Sequence, residues 1–184
     1  YKREAELAYL GNTIVLLTSW LLVESKIRQF LFPNSTIAML MGFLLIALLP
    51  YPLAKYLNCI QERRYQKAYT IIGSCVAINF VAIIILQVMN IKDFFETMTS
   101  SHIIIIALIL TMAVTITRDI IKGYVKVYRE VAIGFAAIMV AGILEIALSY
   151  VVSAKLNGIA LCIGLVILIF TAALKTVRDT FNIE

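Results

Sequence analysis

The chain has a single histidine in 184 residues, three cysteines and three prolines, and only 15% of its residues are charged. Each shortage excludes something. One histidine rules out bis-histidine haem ligation. Cys59, Cys75 and Cys162 form no CxxC pair and have too few histidines nearby for a zinc site, and they are too scattered for a disulfide framework. No HExxH motif, paired aspartates or serine with a base in reach occurs, so this chain is expected to carry no catalytic site. A retinal pigment needs a Schiff-base lysine deep in a helix, whereas Lys175 falls close to the end of the last apolar run. No metal and no cofactor is expected.

What the chain does have is apolar length. It is 62% hydrophobic with a mean hydropathy of +0.96, so a water-soluble domain with a polar surface is hard to build from it. The composition is that of a polytopic membrane protein in contact with the lipid bilayer. Its net charge of +5 does not indicate nucleic acid, because the basic residues lie in short clusters between apolar runs instead of covering one face.

Stretches of about 20 residues with few charges predict spans near residues 5–24, 37–56, 68–90, 102–119, 130–153 and 158–177. The expected fold is an all-α membrane protein with six transmembrane helices in a single domain over residues 1–184. Runs such as "IIIIALIL" lack the alternation of a barrel strand, and a spanning segment must otherwise be helical to satisfy its backbone. No internal repeat stands out, which argues against an inverted-repeat transporter.

Orientation follows from the basic residues. One side carries Lys2, Arg3, Lys55, Arg63, Arg64, Lys67, Arg118, Lys122, Lys126, Arg129, Lys175 and Arg178, the other only Lys26, Arg28, Lys92 and Lys155. That asymmetry places both ends in the cytoplasm and His102 on the outer side. The opening "YKREAELAYLGN" has neither an initiator methionine nor a signal peptide, so the chain is expected to be the later part of something longer; one preceding helix would make seven.

Ionisable residues inside apolar runs are costly and mark candidate sites. Glu145 lies roughly 24 Å along the helix from Arg129 and roughly 15 Å from Lys155 at 1.5 Å per residue, which puts it in the outer half. It belongs to the stripe Ala137, Ala141, Glu145, Ser149 and Ser153, small residues spaced by four that admit a neighbouring helix and turn Glu145 towards the bundle. Trp20, Glu24 and Arg28 recur at the same spacing near the outer end of the first span, and His102 opens the fourth. Together they predict an outward-opening polar pocket, with Trp20, Glu24, Arg28, His102, Glu145 and Ser149 as ligand-binding residues. A histidine titrates near pH 6.5 when unperturbed, so the pocket is also a candidate pH sensor.

Each of these residues has a plainer reading. Trp20 suits an interfacial anchor, His102 a solvated helix start, and Glu24 a snorkelling carboxylate or a partner of Arg28. Glu145 suits a buried hydrogen bond to a neighbouring helix, and Asn79 and Gln87 suit interhelical glue. Pro50 and Pro52 in "LLPYP" each remove a backbone donor, predicting a kink or helix break that is either static or a hinge. In the last span, Leu174, Val177 and Phe181 recur beside Lys175, Arg178 and Asp179, a pattern that either extends the helix into the cytoplasm or lies on the membrane surface.

The succession "TSWLLVES" (18–25), "LLPYP" (48–52), "DFFET" (93–97) closely followed by "SH" (101–102), and "GILEIALSY" (142–150) resembles the bacterial seven-helix receptors with diverse intracellular signalling modules. More narrowly, it resembles those that precede diguanylate cyclase (GGDEF-type) domains. Trp20, Glu24, Pro50, Pro52, Asp93, Glu96, Thr97, His102 and Glu145 carry over by motif position. The resemblance implies helices 2–7 of such a bundle, with the first helix upstream and a cytoplasmic output domain downstream. Its implied role is a sensory input module of a homodimer, controlling cyclic di-GMP synthesis in response to a small-molecule or lipid ligand. A small proton-coupled transporter, using Glu145 and His102, is the competing reading.

Overall fold

The computed structural model describes residues 2–25, 28–31, 34–151 and 158–181, and among them every regular element is helical. In chain order these are α1 (Lys2–Glu24), the single turn α2 (Arg28–Leu31), α3 (Ser35–Leu48), α4 (Pro50–Ile60), α5 (Gln66–Val88), α6 (Phe94–Ile121), α7 (Arg129–Val151) and α8 (Ile159–Phe181), with a 3-10 turn at Tyr124–Val127. Six stretches are long and apolar enough to cross a membrane: Glu4–Glu24, Ser35–Ile60, Gln66–Val88, Phe94–Ile121, Arg129–Leu148 and Ile159–Phe181. The protein is an all-α, multi-pass membrane protein. Its exposed apolar side chains fit that setting. On α5, Ile71, Ile78, Val81, Ile85 and Val88 are exposed at helical spacing, a face that only lipid or another apolar surface covers without penalty.

The second and fourth spans depart from the sequence expectation for reasons that bear on the site, and the sixth runs on to Phe181. The second continues to Ile60, because Tyr56, Leu57, Asn58, Cys59 and Ile60 are buried and extend the packed face of α4. It is interrupted at Leu49, as "LLPYP" predicts. Asn34 caps its start, its side-chain oxygen accepting from the Thr36 N–H at 2.9 Å. Pro50 and Pro52 occupy the first turn of α4, where a helix has no intrahelical use for their N–H groups. Leu49 keeps right-handed helical angles (φ −50, ψ −40) and donates to the Leu45 carbonyl at 3.0 Å, so the two segments remain one span.

The fourth span begins at Phe94, eight residues before the expected start. The polar residues that suggested a loop are satisfied within or beside the helix. Thr97 and Ser100 return their hydroxyls to the carbonyls of Phe94 (3.0 Å) and Thr97 (2.7 Å), and the Gln87 side chain accepts from the first N–H of α6, that of Phe94, at 2.9 Å. His102 therefore stands in the third turn of a helix and not at its foot.

The chain divides into two compact units, residues 1–108 and 109–184, and α6 contributes to both. In the first unit α1 packs on α3 and α4, and α5 on α3 and α4. Ala47, Ile83 and Phe94 form one buried cluster there, with the Phe43 ring stacked on Phe94 at 6.3 Å between centroids. In the second unit α7 and α8 pack along each other. A Cβ placed on Gly164 of α8 would meet the Ala141 Cβ at 2.8 Å and the Ala137 carbonyl oxygen at 3.4 Å. The small-residue stripe of α7 thus faces α8, at a separation only glycine on the opposite helix permits.

Candidate functional site

Glu145 is 8% exposed and turned towards α8. Its Oε1 accepts the backbone N–H of Gly158 at 2.5 Å, and the N–H of Leu161 also faces the carboxylate. Gly158 precedes the first residue of α8 and Leu161 is the third, so Glu145 occupies the place of a capping side chain, supplied from the preceding helix. Gly158 itself has φ +92, a conformation that glycine adopts without strain. The second oxygen, Oε2, is enclosed and has no hydrogen-bond partner among the described residues. This is the hydrogen bond to a neighbouring helix that was one of the two readings of Glu145, with one acceptor to spare. Ser149 and Ser153 extend the same stripe, but the Ser149 side chain and all of Ser153 and Lys155 lie outside the described residues.

The remaining residues of the expected pocket belong to the first unit. Trp20 is buried near the end of α1. Glu24 is exposed at the last position of α1, and its Oε1 would lie 3.4 Å from a Cβ on Gly42 of α3, so the missing side chain there makes room for the carboxylate. Arg28 does not continue this face. Helix α1 ends at Glu24 and Arg28 opens the separate turn α2, which breaks the spacing by four that grouped Arg28 with Trp20 and Glu24. His102 is 7% exposed, which sets aside the solvated helix start. Beside it in sequence, Ser101 accepts from the Asn79 side-chain amide at 3.1 Å, and the Ser100 hydroxyl donates to the Asn79 Oδ1 at 2.7 Å. Asn79 and Gln87 thus both act as interhelical ties between α5 and α6. Pro50 and Pro52 are both buried.

A second group of polar residues was not anticipated. Asp119 and Tyr128 are both fully buried, and the Tyr128 hydroxyl donates to Asp119 Oδ2 at 2.5 Å across the α6–α7 connection. Glu130, the second residue of α7, receives both contacts of the Arg178 Nη1 at 2.6 and 2.8 Å, while the Arg178 Nη2 donates to the Val127 carbonyl at 2.7 Å. Lys175 pairs with Asp179 at 2.9 Å along α8. Arg178 therefore fixes the tail of α8 to the start of α7, whereas Leu174, Val177 and Phe181 are exposed. Nothing in the spacing of Asp119 and Tyr128 announces this bond. The only signal is an acidic residue placed at the end of an apolar run. Among the described residues no group of His, Cys, Asp and Glu is arranged to hold a metal ion.

Comparison with protein-family models, curated proteins and solved structures finds no match to this chain.

Proposed function

We propose that this chain is a membrane-embedded sensory input module. A signal from the outer side or from within the membrane is received at Glu145, and is passed to a cytoplasmic output domain of the diguanylate cyclase type in a homodimer. The sequence motifs shared with the bacterial seven-helix receptors suggest this role. The observation that carries it is Glu145: one carboxylate oxygen holds the start of α8 while the other is buried without a hydrogen bond. A ligand donor or a proton taken up by Oε2 would alter the bond that seats α8, and α8 runs unbroken from Ile159 to Phe181. The amphipathic end of α8, with Leu174, Val177 and Phe181 exposed, is the segment that would pair with its copy and set the geometry of two catalytic domains.

The test uses the full-length protein and its cyclic di-GMP output in cells. Glu145→Gln keeps an acceptor for the Gly158 N–H and removes the charge, and is expected to lock the output at one level, whatever the growth condition. Output that still varies as in the wild type would refute the reading. Cysteines introduced singly from Thr176 to Phe181 are expected to crosslink between copies with helical periodicity. A proton-coupled transporter is the second reading, favoured by the same spare oxygen of Glu145 and the buried His102. Substrate flux in proteoliposomes that is lost with Glu145→Gln, beside an unchanged output, would favour it.

A further inference from the structure

The connection from α6 to α7, "RDIIKGYVKVYRE" (118–130), contains four cations and two acids. Both acids are engaged, Asp119 buried against Tyr128 and the half-buried Glu130 paired with Arg178. Arg118, Lys122, Lys126 and Arg129 are exposed, and none of the four makes an ion pair among the described residues. Folding thus leaves the unpaired charge of this stretch positive. Between these cations stand exposed apolar side chains, with Ile121 79% exposed and Ile120, Tyr124 and Val127 alongside. Gly123, at φ +76, turns the chain so that a 3-10 turn follows directly on the helix.

We infer that this connection is a docking surface for anionic phospholipid headgroups of the leaflet in which α6 and α7 end. Two features select that occupant over a soluble one. Cations alternate with apolar groups along a segment continuous with two apolar helices, which places the apolar side chains at the depth of the acyl boundary and the cations at the phosphates. The charge is unpaired, and each Lys or Arg near an anionic surface strengthens binding roughly fivefold. The Tyr128–Asp119 bond and the Glu130–Arg178 pair hold the segment in this arrangement before any lipid arrives.

The 184-residue chain carrying Tyr124→Trp in a Trp20→Phe background, reconstituted in phosphatidylcholine nanodiscs, reports lipid contact through quenching by brominated lipid. Brominated phosphatidylglycerol is expected to quench more strongly than brominated phosphatidylcholine at equal mole fraction. Lys122→Gln with Lys126→Gln should lower that preference roughly twenty-five-fold, and moderate salt should weaken it. Both lysines lack ion pairs, so the double variant is expected to keep the wild-type unfolding temperature; should it fail to fold, native mass spectrometry of the unsubstituted chain, counting phosphatidylglycerol against phosphatidylcholine retained, decides alone. Equal quenching by the two lipids, or equal retention, overturns the inference. So does a preference abolished by millimolar inorganic phosphate, which would mark a free-anion site, or a double variant that changes dimerisation and leaves quenching intact, which would mark a face between copies.

Discussion

The two units bury polarity in different currencies of charge. In residues 1–108 neutral side chains tie helices together: Asn79 with Ser100 and Ser101, and Tyr69 with Gln61 at 3.0 Å. In residues 109–184 they are carboxylates: Asp119 with Tyr128, Glu145 with the Gly158 N–H, and Glu130 with Arg178. Among the described residues, both buried carboxylates lie in the second unit. A neutral interhelical bond in a membrane is worth about 0.6 kcal/mol on average, whereas stripping one partner from a buried charge costs about 3 kcal/mol or more. The second unit is therefore the one in which a single atom is expected to matter.

The largest effect should come from paired hydroxyl deletions. Tyr128→Phe removes the donor 2.5 Å from a fully buried carboxylate, and is expected to destabilise by about 3 kcal/mol. Tyr69→Phe removes an equally buried hydroxyl from a neutral amide and should cost about 1 kcal/mol. Unfolding of both variants in detergent, side by side, measures the difference. Equal losses would mean that Asp119 is held adequately by its other contacts, and the contrast between the units would fail.

Packing sharpens the same contrast through one substitution made twice. A Cβ on Gly134 of α7 would meet the Leu168 Cα at 2.9 Å and press on the Thr171 hydroxyl, which is itself bonded to the Ile167 and Leu168 carbonyls. A backbone atom can yield only if α8 shifts, so Gly134→Ala should destabilise by about 2 kcal/mol. Gly11 in α1 has nothing within 4 Å of its Cβ position, so Gly11→Ala should stabilise by about 0.5–1 kcal/mol through helix propensity. Opposite signs in thermal unfolding are the expected outcome, and a gain at both positions would show that α7 and α8 are not locked in contact.

These contrasts also mark how far the sequence is readable. Six long apolar runs, the break at "LLPYP" and the inward face of Glu145 follow from hydropathy, proline chemistry and a small-residue stripe, all of which act locally. The start of α6 does not. Thr97, Ser100 and Ser101 read as loop residues, yet Thr97 and Ser100 bond back to carbonyls of α6 itself, while Asn79 and Gln87, brought from α5, hold Ser100, Ser101 and the first N–H of the helix. The role of Glu145 is legible by half, because its partner is a backbone N–H thirteen residues on, at Gly158, which carries no side chain to announce it. Arg28 was misplaced for a related reason: a spacing of four has meaning only while the helix continues, and α1 ends at Glu24.

The smallest expected effect concerns the corners that follow helices. After α6 the left-handed position is occupied by Gly123, at φ +76, with open space around its Cβ position. After α4 it falls on Glu62 and Arg63, at φ +56 and +60, although the corner is well bonded: the Glu62 N–H donates to Cys59 at 3.0 Å and the Arg63 N–H to Asn58 at 2.8 Å. That second bond spans five residues, as in a Schellman ending, a geometry glycine normally supplies. A side chain in this region costs about 1 kcal/mol. Gly123→Ala should therefore destabilise by about 1 kcal/mol through the backbone alone. Arg63→Gly should stabilise by only about 0.5 kcal/mol, since the flexibility that glycine adds to the unfolded chain offsets part of the relief. Unfolding temperatures that move apart in these directions would place the backbone strain in the first unit and the electrostatic strain in the second. A drop with Arg63→Gly would mean that the Arg63 side chain contributes more to the corner than its backbone angle costs.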